Sequence, residues 1–333
     1  MLYTDPIIAA PDFRAAIASA QRILLLTHHN PDGDAIGSLL GAAHVLHALG
    51  KTPLPVLSSA APDYVQNLPG VAWLHVYTPG EHLPEADLTW MLDTANVERT
   101  GPIYAEQHAW LAERPLLVTD HHVTNDGGDG LFLVDATSAS CADLLFRLLQ
   151  AMAVPIPQEA ATCLLLGTMT DTQSFQTSST KALTLRTAAD IIEAGGDLRS
   201  VVQAIYFALP VSTVRLTSLT LSAVQEDRGL FWAVVTQEML RAADAPDGAT
   251  DEAVGRMQRI QGMRACVLFR ERRDGAVKLS LRSVPSINVA AIAQRWGGGG
   301  HAQAAGALLH MSLTDAQAEV LPLLRAAIDA ENA

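Results

Sequence analysis

Cysteine is scarce in this chain of 333 residues: there are three, Cys141, Cys163 and Cys266, well separated and odd in number. That pattern argues against a disulfide framework, and the apolar neighbours of all three mark them as buried structural thiols. No apolar run approaches the roughly 18–20 residues that a membrane-crossing helix needs. The opening MLYTDPIIAAPDFRAAIASA has no basic stretch followed by an unbroken apolar one, so a secretory leader is not expected. These absences point to a cytoplasmic protein without a membrane partner. Two catalytic signatures are also missing, the G-x-S-x-G elbow and the phosphate-binding P-loop, which disfavours a serine hydrolase or an NTPase. There is no internal repeat, and no low-complexity segment beyond one glycine run.

Positive charge is short as well. Lys and Arg number 22 against 35 Asp and Glu, a net −13. Residues 1–222 hold 10 basic and 22 acidic side chains, and residues 223–333 hold 12 and 13. This balance disfavours a protein that binds bulk duplex, which would show a broad basic face. Residues 256–295 are the exception, with nine basic residues and only Glu271 and Asp274 opposing them. A solvated face is the plain reading of that run, and it is adopted for Arg270, Arg272 and Arg273.

What is present is apolar residue in quantity, 49% of the chain, enough for real cores. The length suggests two domains. Short apolar runs at 22–27, 52–58, 89–94, 115–122 and 130–136 alternate with helix-like stretches such as AIGSLLGAAHVLHALG. Strands apolar throughout and separated by helices predict a parallel sheet covered on both faces. From about 139 the pattern turns helical, interrupted at Gly195, Gly196 and Pro210. GLFWAVVT, MRACVLFRER and AVKLSLRS then read as strands, two helices interleave with them, and GGGGHAQAAGALL begins the final strand. The predicted fold is α/β: a catalytic domain over 1–195, a helical connector over 196–222, and a smaller α+β domain over 223–333.

Ligands in such sheets bind beyond the carboxyl ends of the strands, and that is where the acids fall. Asp32 and Asp34 follow the first run in HHNPDGDAIGS, Asp93 stands in MLDTANVERTG, and Asp120 opens DHH with His121 and His122. Asp171, in GTMTDTQSF, closes an apolar helix. Singly, each has an ordinary explanation: an Asp beyond a strand is usually a helix cap, and paired histidines often flank a turn. Four clusters in order have a different one, a metal site. Imidazole with carboxylates suits Mn²⁺, Fe²⁺, Zn²⁺ or Co²⁺, whereas oxygen-only sites suit Mg²⁺ and Ca²⁺.

HHNPDGDAIGS, DTA, DHH and TDT resemble the four successive motifs of the DHH phosphoesterase superfamily, and GGGGHAQAAG resembles the signature of its DHHA1 domain. Length and the lack of further domains are closest to the NrnA-like branch, nanoRNA exonucleases that also dephosphorylate 3′-phosphoadenosine 5′-phosphate (pAp). The resemblance implies two divalent ions, Mn²⁺ first with Mg²⁺ or Co²⁺ as substitutes. His28, Asp32 and Asp93 would bind one, and Asp34, Asp93, His121 and Asp171 the other, with Asp93 bridging. The spacing to PDGD makes His28 the ligand and leaves His29 aside. Asp120 would orient an adjacent imidazole, and His122 would face the scissile phosphate. Arg282 and Ser283, assisted by Arg264, with Gly298, Gly299, Gly300 and His301, would hold the substrate. That substrate would be a short single-stranded RNA or DNA oligonucleotide, a dinucleotide or pAp, and the protein could form a homodimer. Three enzymes stand as alternatives: a cyclic or linear dinucleotide phosphodiesterase, a RecJ-like single-strand DNA exonuclease and a manganese pyrophosphatase. A non-enzymatic nucleotide sensor is the fourth.

Overall fold

The computed structural model describes residues 1–331, with His301 placed by its backbone alone. It divides into two compact units, Met1–Ala208 and Leu209–Ala333. In the first unit the chain runs β1 (Leu2–Tyr3), α1 (Pro6–Ser19), β2 (Arg22–Leu26), α2 (Gly33–Ala48), β3 (Thr52–Leu57), β4 (His75–Val76), β5 (Leu88–Leu92) and α3 (Pro102–Ala112). It continues through β6 (Leu116–Asp120), β7 (Leu131–Val134), α4 (Cys141–Ala151), α5 (Gln158–Asp171), α6 (Ala182–Glu193) and α7 (Leu198–Tyr206).

The sheet order is β1-β7-β6-β5-β2-β3-β4, with every pair parallel. Successive side chains of a strand point to opposite faces, and here both faces are covered. Ile23, Leu25, Trp90 and Leu92 bury into a core built with α1, α2, α4 and α5. Leu24, Leu26, Met91 and Val118 bury into another with Ile103 and Leu111 of α3. The uniformly apolar strands follow from that double burial. The Trp90 indole loses no hydrogen bond inside, since its Nε1–H donates to the Thr119 hydroxyl at 3.1 Å.

The second unit contains α8 (Val211–Ser222), β8 (Gln225–Asp227), β9 (Leu230–Val235), α9 (Gln237–Ala243), α10 (Thr250–Met257), β10 (Ala265–Glu271), β11 (Val277–Ser283), α11 (Val289–Ala293), β12 (Gly299–His301), β13 (Ala304–Leu309) and α12 (Leu313–Glu331). Its mixed sheet runs β12-β13-β11-β10-β9-β8, parallel only between β9 and β10. The glycine run opens a hairpin, β12 and β13, rather than one final strand, and the long α12 after it has no counterpart in the sequence reading. Three helices, not two, interleave with the strands. The stretch 196–222 is α7 and α8: α7 packs on α5 and α8 packs on α9 and α10, so the two helices divide between the units.

All three cysteines are free and buried. Among the described residues no single helix is long and apolar enough to cross a membrane. Three members of the basic run at 256–295 pair on the surface: Arg256 with Glu252, Arg264 with Glu331 and Arg272 with Asp274. Arg270 corrects the reading of a solvated face. Its side chain is buried, with Nη1 2.8 Å from Asp247 Oδ2, because it lies on β10 beneath the covering segment at Asp247.

Candidate metal centre

Six side chains converge past the carboxyl ends of β2, β5 and β6. The ligand atoms of His28, Asp32 and Asp93 lie within 4.8 Å of one another, as do those of Asp34, His121 and Asp171. Asp93 joins the two groups. Its Oδ2 is 3.7 Å from His28 Nε2, and its Oδ1 is 3.4 Å from His121 Nε2. His121 Nε2 is also 3.8 Å from Asp34 Oδ2 and 3.6 Å from Asp171 Oδ2.

Local structure sets each position. Asp93 ends β5 with φ at 55°, a left-handed conformation that costs most side chains and is less costly for Asp. Strain of this kind persists where its surroundings over-determine it, as at functional sites. His28 Nδ1 faces the His29 carbonyl at 3.0 Å, so that nitrogen carries the proton and Nε2 keeps its lone pair for a cation. Asp32 caps α2 as well: its Oδ1 accepts from the Asp34 and Ala35 N–H groups. The cap and the ligand readings therefore coexist in one side chain. Asp34 accepts from the Cys141 and Ala142 N–H groups at 2.6 and 2.9 Å, so the N-terminus of α4 helps hold its charge.

Asp171 arrives on the last residue of α5, and glycine brings that helix close. A Cβ on Gly37 would lie 2.5 Å from the Cys163 carbonyl and 2.8 Å from the Gly167 nitrogen, so α2 and α5 could not approach as they do. Asp120 is fully buried and holds His122 Nδ1 at 2.7 Å through one oxygen. A carboxylate only accepts, so Nδ1 donates and the far nitrogen of His122 remains free. Asn125 donates to the other oxygen of Asp120 at 2.8 Å. His29 turns away to the Ser58 hydroxyl, 3.2 Å distant, and belongs to neither group.

The electrostatics demand positive charge. Burial pushes the Asp34 carboxyl well up, and Asp93 and Asp171 add to the rise. Burial likewise pushes Asp171 up to about 6, with His121 opposing and Asp93 and Asp32 adding. Burial acts against charge on Asp93, yet the facing His121 and His28 imidazoles outweigh it and hold its carboxyl below the usual range. His121 is driven up to about 10: burial alone would lower it, but Asp93, Asp34 and Asp171 prevail. Asp93 Oδ1 is buried without a hydrogen-bond partner. An orphaned carboxylate oxygen between two imidazole-bearing groups, in a nest of four acids, fits a pair of divalent cations.

Among the described residues, every member of these groups lies in the first unit. Arg282 stands opposite Ala304, and His301 stands opposite Ala304 from the other side, so all three occupy one row across β11, β13 and β12. The reading of the His301 side chain falls outside the described residues. Arg282 is half-buried and spends one N–H on the Leu281 carbonyl. Ser283 is buried, and its hydroxyl donates to the Ile287 carbonyl at 2.6 Å, a use within the fold. Arg264 is paired with Glu331. Side chains at Gly298 and Gly300 would strike the Gly306 and Ala304 carbonyls of the same hairpin, whereas Gly299 faces open space. Sequence reasoning missed Asn125 and the start of α4. The polar VTN after DHH and the serine-rich ATSAS before α4 were their only signals.

The chain matches the model of the DHH family, N-terminal domain, over residues 22–168 and that of the DHHA1 domain over residues 232–331. It is 34% identical over 304 residues to the bifunctional oligoribonuclease and PAP phosphatase NrnA of Thermus thermophilus, covering 91% of this chain and 89% of that protein. It is 26% identical to the cyclic-di-AMP phosphodiesterase GdpP of Geobacillus thermodenitrificans, covering 89% of this chain but 46% of that protein. The fold is shared with an exopolyphosphatase-related protein of Bacteroides fragilis, at a TM-score of 0.88 and 24% identity, covering 97% of this chain and 96% of that one.

Proposed function

The chain belongs to the DHH family, in its two-domain DHH–DHHA1 form, and on that premise we propose a metal-dependent phosphoesterase that degrades short oligonucleotides to mononucleotides and dephosphorylates pAp to AMP. The observation that carries the proposal is Asp93, whose two oxygens serve different halves of one ligand cluster. A relative alike over nine-tenths of both chains, named for these two activities, supports the substrate class.

When bound, a metal pair supplies Lewis acidity toward phosphate oxygens and a nucleophile from water near neutral pH. This chain's residues do the positioning. His28 and Asp32 would hold one ion, Asp34, His121 and Asp171 the other, and Asp93 would serve both. His122, fixed through Nδ1 by Asp120, turns its free nitrogen to the phosphate. Asn125 satisfies the second Asp120 oxygen, so the carboxylate stays in place. A water oxygen bonds to phosphorus as the bond from phosphorus to the ribose oxygen breaks, and a proton from that water ends on the departing ribose oxygen. Arg282 offers the remaining donors of its fork to a phosphate of the substrate.

The mixed imidazole and carboxylate donors suit Mn²⁺ or Co²⁺, and the family resemblance puts Mn²⁺ first, with Co²⁺ or Mg²⁺ as substitutes. We also place the protein in the cytoplasm, a reducing compartment suited to three free thiols, and as a homodimer on the resemblance alone. The test is incubation with Mn²⁺ and either a 5′-labelled dinucleotide or pAp. Release of mononucleotide and of AMP is expected; stable binding of both substrates without any product would make the protein a sensor instead.

A further inference from the structure

Beyond His122 the first unit has a second cavity, about 1070 Å³, that the chemistry described so far leaves unused. Its volume is at the upper end of the roughly 300–1,000 Å³ usual for small-molecule sites. Its wall passes from His122 and Asn125 after β6, to Asp135 after β7, to the turn after β1. Those strands are neighbours in the order β1-β7-β6. The cavity therefore prolongs, toward the sheet edge, the same crevice outside the strand ends that holds the metal ligands.

The lining is apolar where it is exposed. Val123, directly after His122, is 81% exposed, and Leu2, Ile7 and Leu183 are about half exposed or more, at 51%, 73% and 48%. The cation in the wall, Arg147, is held by Asp143 and Asp135 at 3.4 and 3.5 Å, so it is not free for a phosphate. The Asp135 oxygens accept from Thr137 and Ser138, and the Asn125 amide is committed to Asp120. A groove whose exposed walls are mainly apolar, with the Asp135 and Asn125 side chains already engaged, suits a flat, largely uncharged group.

We propose that this groove is a nucleoside subsite, taking the sugar and base on one side of the scissile phosphate, while the nucleoside on the other side, the one that pAp also carries, lies outside it. The inference rests on the phosphoesterase reading above and deepens it. A dinucleotide has a nucleoside on both sides of the cleaved phosphate, whereas pAp has one side only. The groove thus serves oligonucleotides alone.

Leu183→Asp and Ile7→Asp test this, since both positions are exposed and lie in the first turns of α6 and α1, where an acid is tolerated. In each variant kcat/KM for a 5′-phosphorylated dinucleotide should fall about tenfold, the size expected for losing one buried apolar contact, mostly through KM. Hydrolysis of pAp and the melting temperature should stay at wild-type values. Dinucleotide turnover unchanged in both variants, or an equal loss on dinucleotide and pAp, would overturn the subsite. A wild-type protein that cuts neither substrate would instead remove the activity reading, and the subsite with it.

Discussion

Asp93 has the most to lose by substitution, because each of its oxygens faces a different imidazole. Asp93→Ala should strip bound metal, read by elemental analysis, and abolish hydrolysis; retention of both would mean the ligand assignment is wrong. His29→Ala, which removes only the contact to Ser58, should leave metal content and rate near wild type, while His28→Ala should lower both. The shifted ionisations carry a second consequence. With His121 up at about 10, its imidazole holds a proton at pH 7.5 in the absence of metal, and burial favours the protonated form of Asp34 as well. Ligation requires the deprotonated forms, so uptake must release protons and apparent affinity must rise with pH. Below pH 6, protonation of Asp171, whose pKa is about 6, should weaken uptake further. Calorimetric titration with Mn²⁺ in buffers of different ionisation enthalpy should reveal proton release; identical heats would contradict it. At this scale the ligands were legible because acid and imidazole beyond apolar runs are chemically conspicuous. Asn125, an ordinary loop residue, was not, since its value lies in a partner five positions away in a turn. The pairing of Arg264 with Glu331 was equally hidden, because its partner is distant in sequence.

The packing of α2 on α5 is what brings Asp171 to Asp34. Gly33, Gly37 and Gly41 fall on one helical stripe, and a Cβ at any of them would meet α5 at under 3 Å. At Gly37 the obstacle is backbone, which cannot rotate aside. Gly37→Ala should cost about 1–3 kcal/mol by overpacking. It should also weaken metal binding, although the residue is no ligand. Chemical denaturation together with a Mn²⁺ titration checks this, and a variant with wild-type stability and affinity would show that the helices can separate freely. The long parallel strands were readable as apolar runs of strand length. The two-residue strands β1 and β4 were not, since two residues carry no periodicity and owe their pairing to β7 and β3. The hairpin of β12 and β13 escaped for a related reason: its turn lies at AQ, without the Gly or Asn that marks most tight turns.

At the scale of the whole molecule, the proposed function assigns chemistry and substrate grip to different units: the metal-ligand candidates among the described residues lie between His28 and Asp171, and Arg282 lies in Leu209–Ala333. Arg282→Ala should therefore leave metal content unchanged. The loss of a charge-assisted hydrogen bond to phosphate should weaken binding of pAp and dinucleotides by roughly ten- to a hundredfold, about 1.5–3 kcal/mol. Loss of metal in that variant would contradict the division. The two-domain plan was legible from length and from the return of strand-like runs after 222. The point of division was not, because α7 and α8 are both helical and only their packing separates them. The most direct measurement is dinucleotide hydrolysis followed as Mn²⁺ is added to metal-free protein in fractional equivalents. Activity should stay low through the first equivalent and appear with the second, because Asp93 serves both groups of ligands. Full activity at one equivalent, or activity that persists in excess chelator, would contradict a reaction built on a metal pair.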